Sequence, residues 1–323
     1  MNTGSPPRPR DVPNTLGLHA LIWADHWDTE AAERSIRLTA DAGYGLVELP
    51  VLEPDALDLG RVRRSLGRAG LGVRCSLGLP FDADISSADA AVVARGEDLL
   101  NRALEASAEL GSPLLTGVLY SALGKYAQPP AASRGGAAGV LRRLADRAAP
   151  LGVDLGLEVV NRYESNLLNT CADALRLIDE IGRANVKVHL DSYHMNIEEP
   201  DFATPVAQCG PLLGYVHVGE SHRGYLGSGH VDLAALFRAL VDAGYTGAIT
   251  FEGFSSPAPA GLGTTLAVWR RLWDDPGDVA VRAREYMESL LAAAAGARAA
   301  AAPPRPGHGT AAPRPGHGTA AVR

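Results

Sequence analysis

The sequence predicts a single-domain (β/α)8 TIM barrel, an α/β fold of eight parallel strands with surrounding helices, on three observations. Short strand-like runs alternate with longer segments of helical periodicity from Leu16 onward, the pattern of a parallel sheet. Eight such units can be counted, and 323 residues accommodate one barrel of about 250. Four of the later runs each end in a potential metal ligand: Leu-Gly-Leu-Glu158, Val-His-Leu-Asp191, Gly-Tyr-Val-His217 and Ile-Thr-Phe-Glu252.

In chain order, strands are expected at residues 16–23, 44–49, 71–77, 114–119, 153–159, 186–191, 213–218 and 248–251. Helices are expected at 29–42, 62–69, 90–110, 139–149, 172–181 and 233–243, where apolar residues recur at helical spacing. Gly43, Gly70, Gly111 and Gly244 follow four of them and can supply the left-handed C-cap. The long connection 120–136, with Pro129, Pro130, Gly135 and Gly136, reads either as a lid over the barrel mouth or as a solvent loop. Residues 1–14 are rich in proline and polar side chains and are expected to be flexible; residues 15–295 form the barrel. Residues 296–323 are expected to be a disordered tail, because Pro-Arg-Pro-Gly-His-Gly-Thr-Ala-Ala occurs twice, at 304–312 and 313–321, and cannot build a core. Its His308 and His317 offer weak metal binding at most.

Composition narrows the function classes. The hydrophobic fraction of 46% and charged fraction of 21% are ordinary for a globular enzyme. A net charge of −7 without a long basic block argues against nucleic acid as a partner. Cys75, Cys171 and Cys209 are odd in number, with no Cys-x-x-Cys pair, which disfavours a disulfide framework and structural zinc. The start lacks a secretory h-region, and no run approaches the roughly 20 apolar residues of a membrane span. A cytoplasmic protein without a membrane partner is expected.

The four ligand candidates are 33, 26 and 35 residues apart, each about one strand-helix unit. Neighbouring parallel strands would therefore deliver them to one point at the C-terminal face, where barrel enzymes place their active sites. Any one of them alone could be a helix N-cap or a solvated loop residue. Together, three carboxylates and one imidazole suit a divalent cation such as Mn2+, with positions left open for substrate. Further polar residues follow on the loops: Asn161, Arg162 and Glu164; His194 and Asn196; Glu220, His222 and Arg223. They could hold a polyhydroxylated molecule. Gly224, Gly227 and Gly229 allow close backbone approach before His230, but do not match a dinucleotide fingerprint.

Three segments, Leu157 to Glu164 (Leu-Glu-Val-Val-Asn-Arg-Tyr-Glu), His189 to Glu199 (His-Leu-Asp-Ser-Tyr-His-Met-Asn-Ile-Glu-Glu) and His217 to His230 (His-Val-Gly-Glu-Ser-His-Arg-Gly-Tyr-Leu-Gly-Ser-Gly-His), closely resemble the D-tagatose 3-epimerase and D-psicose (D-allulose) 3-epimerase family of xylose-isomerase-like barrels. The resemblance covers roughly residues 16–291. It implies a metal set of Glu158, Asp191, His217 and Glu252, with Glu158 and Glu252 also acting as the catalytic acid/base pair. It further implies that Glu164, His194 and Arg223 hold the substrate near its carbonyl end. Trp23 and Cys75 match less distinctively and belong either to the pocket wall or to the core. The implied activity is C3 epimerisation of a free ketose, such as tagatose, fructose/psicose or ribulose, through a metal-stabilised cis-enediolate. Mn2+ is the expected cofactor, with Co2+ or Mg2+ as substitutes, and a homodimer or homotetramer is expected. An aldose-ketose isomerase or a lyase on a keto sugar would use a similar site; a nucleic-acid enzyme would need more histidines and a basic face, and a sugar-binding barrel would not need both glutamates.

Overall fold

The computed structural model describes residues 13–125, 127, 133–256 and 266–301. The repeated tail with His308 and His317, residues 1–12, and Pro129 and Pro130 lie outside the described residues. Eight parallel strands close into a barrel in sequential order, with β8 pairing back onto β1. They are β1 (Leu16–His19), β2 (Leu46–Pro50), β3 (Gly72–Ser76), β4 (Leu114–Gly117), β5 (Asp154–Glu158), β6 (Val186–Asp191), β7 (Leu213–Val218) and β8 (Ile249–Phe251). The helices are α1 (Thr29–Asp41), α2 (Leu59–Ala69), α3 (Ala90–Leu110), α4 (Ser133–Ala148), α5 (Cys171–Ile181), α6 (Ser192–Glu198), α7 (Ala203–Cys209), α8 (Leu233–Asp242) and α9 (Pro276–Ala301).

Several boundaries differ from expectation for local reasons. The first apolar run breaks at His19, whose Nδ1 accepts the Leu21 backbone N–H at 3.3 Å and turns residues 20–22 into a 3-10 turn. Helix α2 starts at Leu59, earlier than the apolar spacing indicated, because Asp58 caps it by accepting the Arg61 N–H. Helices α6 and α7 fall in one expected connection, and α6 starts because Asp191 caps it. Helix α9 continues to Ala301, six residues into the expected tail, where alanine favours helix. Asn14 is held, its amide donating to the carbonyl oxygens of Tyr245 and Gly247 at 2.9 Å each. The expected glycine caps at Gly43, Gly70, Gly111 and Gly244 all have positive φ, from 66° to 85°.

The connection after β4 is not one loop. Ser133–Gly136 already belongs to α4, and the described part at its start is fastened down. Leu123 N–H donates to Leu79 O at 2.8 Å, Gly124 N–H to Glu164 O at 2.7 Å, and the Lys125 ammonium pairs with Asp84 at 2.6 Å. Among the described residues of this connection, Leu123 lines the pocket.

Alternation along each strand decides what enters the barrel. Leu46, Leu114, Tyr215 and Ala248 form a small cluster inside it. Two residues further along their strands stand Glu48, Thr116, His217 and Thr250, all essentially buried. Gly17 and Gly156 open room for them: a Cβ at Gly17 would lie 2.3 Å from Thr250 Oγ1, and one at Gly156 would lie 2.4 Å from Thr116 Oγ1. The outer faces of the strands pack in the large apolar core shared with the helices. The barrel interior thus changes from apolar to polar toward the C-terminal face, and the polar end is where the candidate site opens.

Candidate active site

Strands β5 to β8 bring the four predicted ligands together. One donor atom from each of Glu158, Asp191, His217 and Glu252 lies within 4.8 Å of the others. His217 Nδ1 is 3.8 Å from Glu158 Oε1 and 3.6 Å from Glu252 Oε1. It is buried without a hydrogen-bond partner among the described residues, which in a protein interior calls for a ligand. Asp191 divides its carboxylate: Oδ1 accepts the Tyr193 N–H at 2.8 Å as the cap of α6, while Oδ2 faces the cluster. The helix-cap and cluster roles of this residue are therefore compatible, one oxygen to each.

The electrostatics fit a divalent cation. Burial pushes the Glu158 carboxyl well above the usual range, and the neighbouring Glu252, Asp191 and Glu48 charges add to the rise. Asp191 is likewise raised by burial, against the pull of Arg223. Burial disfavours the His217 imidazolium, but Glu48 and Glu252 outweigh it and push the group up to about 10. Three buried acids and one histidine whose buried Nδ1 faces them are the donor set a hard or borderline metal ion takes, the cation replacing the Nδ1 proton that the raised value implies.

Of the loop residues, Glu164, His194 and Arg223 converge on the same pocket, with Asn161 behind them. The Asn161 backbone N–H donates to His194 Nδ1 at 3.1 Å, and its side-chain amide lies 2.8 Å from the same atom. An acceptor Nδ1 leaves the proton of the neutral ring on Nε2, aimed at the site. Burial and the Arg223 charge hold His194 well below its ordinary pKa, so the ring stays neutral. Arg223 Nη2 stands 3.3 Å from that Nε2, so two N–H donors sit side by side where one oxygen can accept from both. Arg223 Nη1 donates to Glu252 Oε2 at 2.7 Å and to Asp191 Oδ2 at 3.0 Å, and its guanidinium stacks 3.7 Å above the Tyr193 ring. Burial raises the Glu164 carboxyl to about 7 despite the Arg223 charge.

Four loop candidates go elsewhere. Arg162 is exposed and forms a bidentate pair with Glu198 at 2.7 and 2.8 Å. Asn196 reaches only His230, at 3.5 Å. His222 accepts the Gly224 N–H at 3.1 Å and contacts Ser228. Glu220 turns into its own loop and accepts backbone N–H groups from Ser221, Gly227 and Val231 at 2.8 to 3.1 Å. The glycines near it serve this carboxylate rather than the cation cluster: a Cβ at Gly229 would lie 2.3 Å from Glu220 Oε1, and Gly227 supplies the turn with φ 77°. Trp23 and Cys75 both join the core. The Trp23 indole N–H donates to Thr39 at 2.9 Å, and Cys75 is fully buried.

Sequence reasoning missed three groups: His19, Glu48 and His189. His19 closes Leu-Gly-Leu-His on β1, the same signature as the four predicted ligands, whereas Glu48 is the central residue of β2 and is revealed by its inward alternation. The His19 signal was available. His189 lies inside β6, two residues before Asp191, and only inward alternation reveals it. Its Nδ1 lies 2.9 Å from Thr116 Oγ1.

A family model described as a xylose isomerase-like TIM barrel matches residues 36–272. A ketose 3-epimerase of Arthrobacter globiformis is 45% identical over 280 residues, covering 86% of this chain and 97% of that protein. The chain belongs to the ketose 3-epimerases of the xylose isomerase-like family. An L-ribulose 3-epimerase of Methylomonas sp. is 45% identical over 274 residues, or 84% and 96% of the two chains. The crystal structure of a D-allulose 3-epimerase from Methylomonas sp. in complex with D-allulose superposes with a TM-score of 0.84 at 44% identity, covering 86% of this chain and 97% of that one. The chain thus spans nearly the whole length of each of these relatives.

Proposed function

We propose that the chain is a divalent-metal-dependent ketose 3-epimerase in which Glu158 and Glu252 are both ligands and the acid/base pair, and Asp191 and His217 are ligands only. The observation that carries the reading is the buried cluster of these four groups, opening into the pocket that also presents Glu164, His194 and Arg223. Its relatives' C3 chemistry supplies the reaction class.

When bound, the cation supplies positive charge that polarises the ketose carbonyl and returns the buried carboxyls to their ionised form. Glu158 and Glu252 come from β5 and β8, three strands apart around the barrel, and so reach a bound sugar from different sides. One carboxylate removes the C3 proton, giving an enediolate. The other returns a proton to C3 from the opposite face, which inverts that centre. Which acts first depends on the epimer bound. His194 Nε2–H and Arg223 Nη2–H donate to the oxygens beside the reacting carbons, while Glu164 accepts from a hydroxyl. The apolar side chains of Leu21, Leu52, Leu77, Leu123, Phe254 and Leu266 also line the pocket. Arg223 is the one arginine or lysine among the described lining residues and is already paired, which supports an unphosphorylated sugar.

Mn2+ is the proposed ion, with Co2+ and Mg2+ as alternatives, on the mixed oxygen and nitrogen donor set. We assign the protein to the cytoplasm as a homodimer or homotetramer. The three cysteines are free and buried, and among the described residues no helix is long and apolar enough to cross a membrane. Light scattering of the purified chain tests the assembly.

Metal-stripped protein incubated with tagatose, fructose and ribulose should form C3 epimers only when Mn2+ is restored. In deuterium oxide the product should carry label at C3. Production of aldoses alone, or no turnover by folded metal-loaded protein, would overturn the reading.

A further inference from the structure

We infer that Glu48 is the positioning residue for the metal-binding histidine: it holds the proton of His217 on Nε2, so that Nδ1 is presented as a lone pair to the cation. The inference rests on the metal-site reading above and deepens it. His217 Nε2 lies 2.6 Å from Glu48 Oε2, and both side chains are almost fully buried. An ionised carboxylate only accepts hydrogen bonds, so the nitrogen facing it must donate. The other nitrogen, Nδ1, is the buried atom without a partner among the Glu158 and Glu252 oxygens.

Glu48 is itself fixed. Tyr215 Oη donates to the same Oε2 at 2.8 Å and stands 2.5 Å from Thr250 Oγ1, giving a chain of hydroxyls whose end points at the carboxylate. On the other side, His19 has its Nδ1 engaged by the Leu21 backbone N–H, so its Nε2–H faces Glu48 Oε1 at 3.5 Å. Glu48 Oε2 is thus held by Tyr215 and His217, while Oε1 has no hydrogen bond among the described residues and His19 Nε2 is its nearest cation-forming neighbour. A fourth carboxylate beneath three others would be a poor choice for stability alone, since like charges repel in a low-dielectric interior. It is the right choice where a cation is to be held above it: the carboxylate fixes the imidazole tautomer and increases its basicity.

The test is the metal affinity of Glu48→Gln, measured calorimetrically by titrating Mn2+ into metal-stripped protein. Loss of an outer partner of a ligand histidine typically weakens metal binding by about 10–100-fold, and that is the expected change. Glu33→Gln, which breaks a comparable contact between α1 and α2 far from the site, controls for a merely structural loss and should leave the affinity unchanged. The Co2+-loaded wild type should show one solvent-exchangeable, hyperfine-shifted imidazole N–H proton resonance, from His217 Nε2–H. Glu48→Gln should move that line or speed its exchange. If Glu48→Gln does not fold, Tyr215→Phe removes one donor to Glu48 and should perturb the same line with a smaller affinity loss. Glu48→Asp should recover part of the affinity. Folded Glu48→Gln binding Mn2+ within about twofold of wild type, or wild-type Co2+ protein without the exchangeable line, would overturn the inference. Wild-type protein that binds no divalent ion would instead overturn the metal-site reading itself.

Discussion

Arg223 shows how one side chain can serve several neighbours at once. Its backbone is left-handed, with φ 65°, a conformation that costs a non-glycine residue of order 1–3 kcal/mol. It is held there because its N–H donates to Glu220 O at 2.8 Å and its carbonyl accepts the Phe254 N–H at 3.0 Å. The strain aims the guanidinium between Asp191, Glu252 and the His194 donor. Arg223→Ala should therefore raise KM for ketose by about 10–100-fold, the worth of a charged hydrogen bond, with a smaller fall in kcat; steady-state kinetics at saturating Mn2+ checks this. Glu252→Gln should lower kcat by about 10²–10⁴-fold while calorimetry still detects ketose binding. Retained turnover would remove Glu252 from the acid/base pair.

At the scale of elements, the loop after β7 is organised by Glu220. Burial raises its carboxyl, but the N–H groups of Ser221, Val231 and Gly227 outweigh this and hold it below the ordinary 4.5. A depressed folded value means that the stabilisation is complete above the unfolded value and is lost as pH falls through the folded one. Glu220→Gln should thus cost about 1–3 kcal/mol at neutral pH, because an amide can no longer satisfy three donors, and its deficit should shrink in acid. Urea unfolding of both proteins at neutral and acidic pH measures the difference. The end of β4 makes a second case: Gly117 has φ 114°, and a Cβ there would lie 2.4 Å from Leu77 O. Gly117→Ala should lower the urea midpoint clearly, as neither the backbone angle nor the packing can accept it.

For the whole molecule, the barrel concentrates buried acids at one end, where Glu48, Glu158, Asp191 and Glu252 meet. A cation bound only by the folded state should stabilise it by about 2.7 kcal/mol at a hundredfold excess over Kd. Mn2+ should raise Tm by several degrees and a chelator should reverse the shift; an unchanged Tm would count against the cluster as a metal site. The sequence by itself determined the eight-unit barrel and the four clustered ligand candidates, because strand-end position and unit spacing are local and repeat along the chain. It also held the signal for His19, at the end of an earlier run. The family resemblance singled out Glu164, His194 and Arg223 among the loop residues, and the tertiary structure places these three at the pocket, whereas Arg162, His222 and Glu220 find partners on their own rim. Only the tertiary structure decided that Asp191 splits its oxygens and that Glu48 lies behind His217. Residues on opposite strands become neighbours only when the barrel closes, and a hydrogen-bond partner is chosen by that closure rather than by distance along the chain.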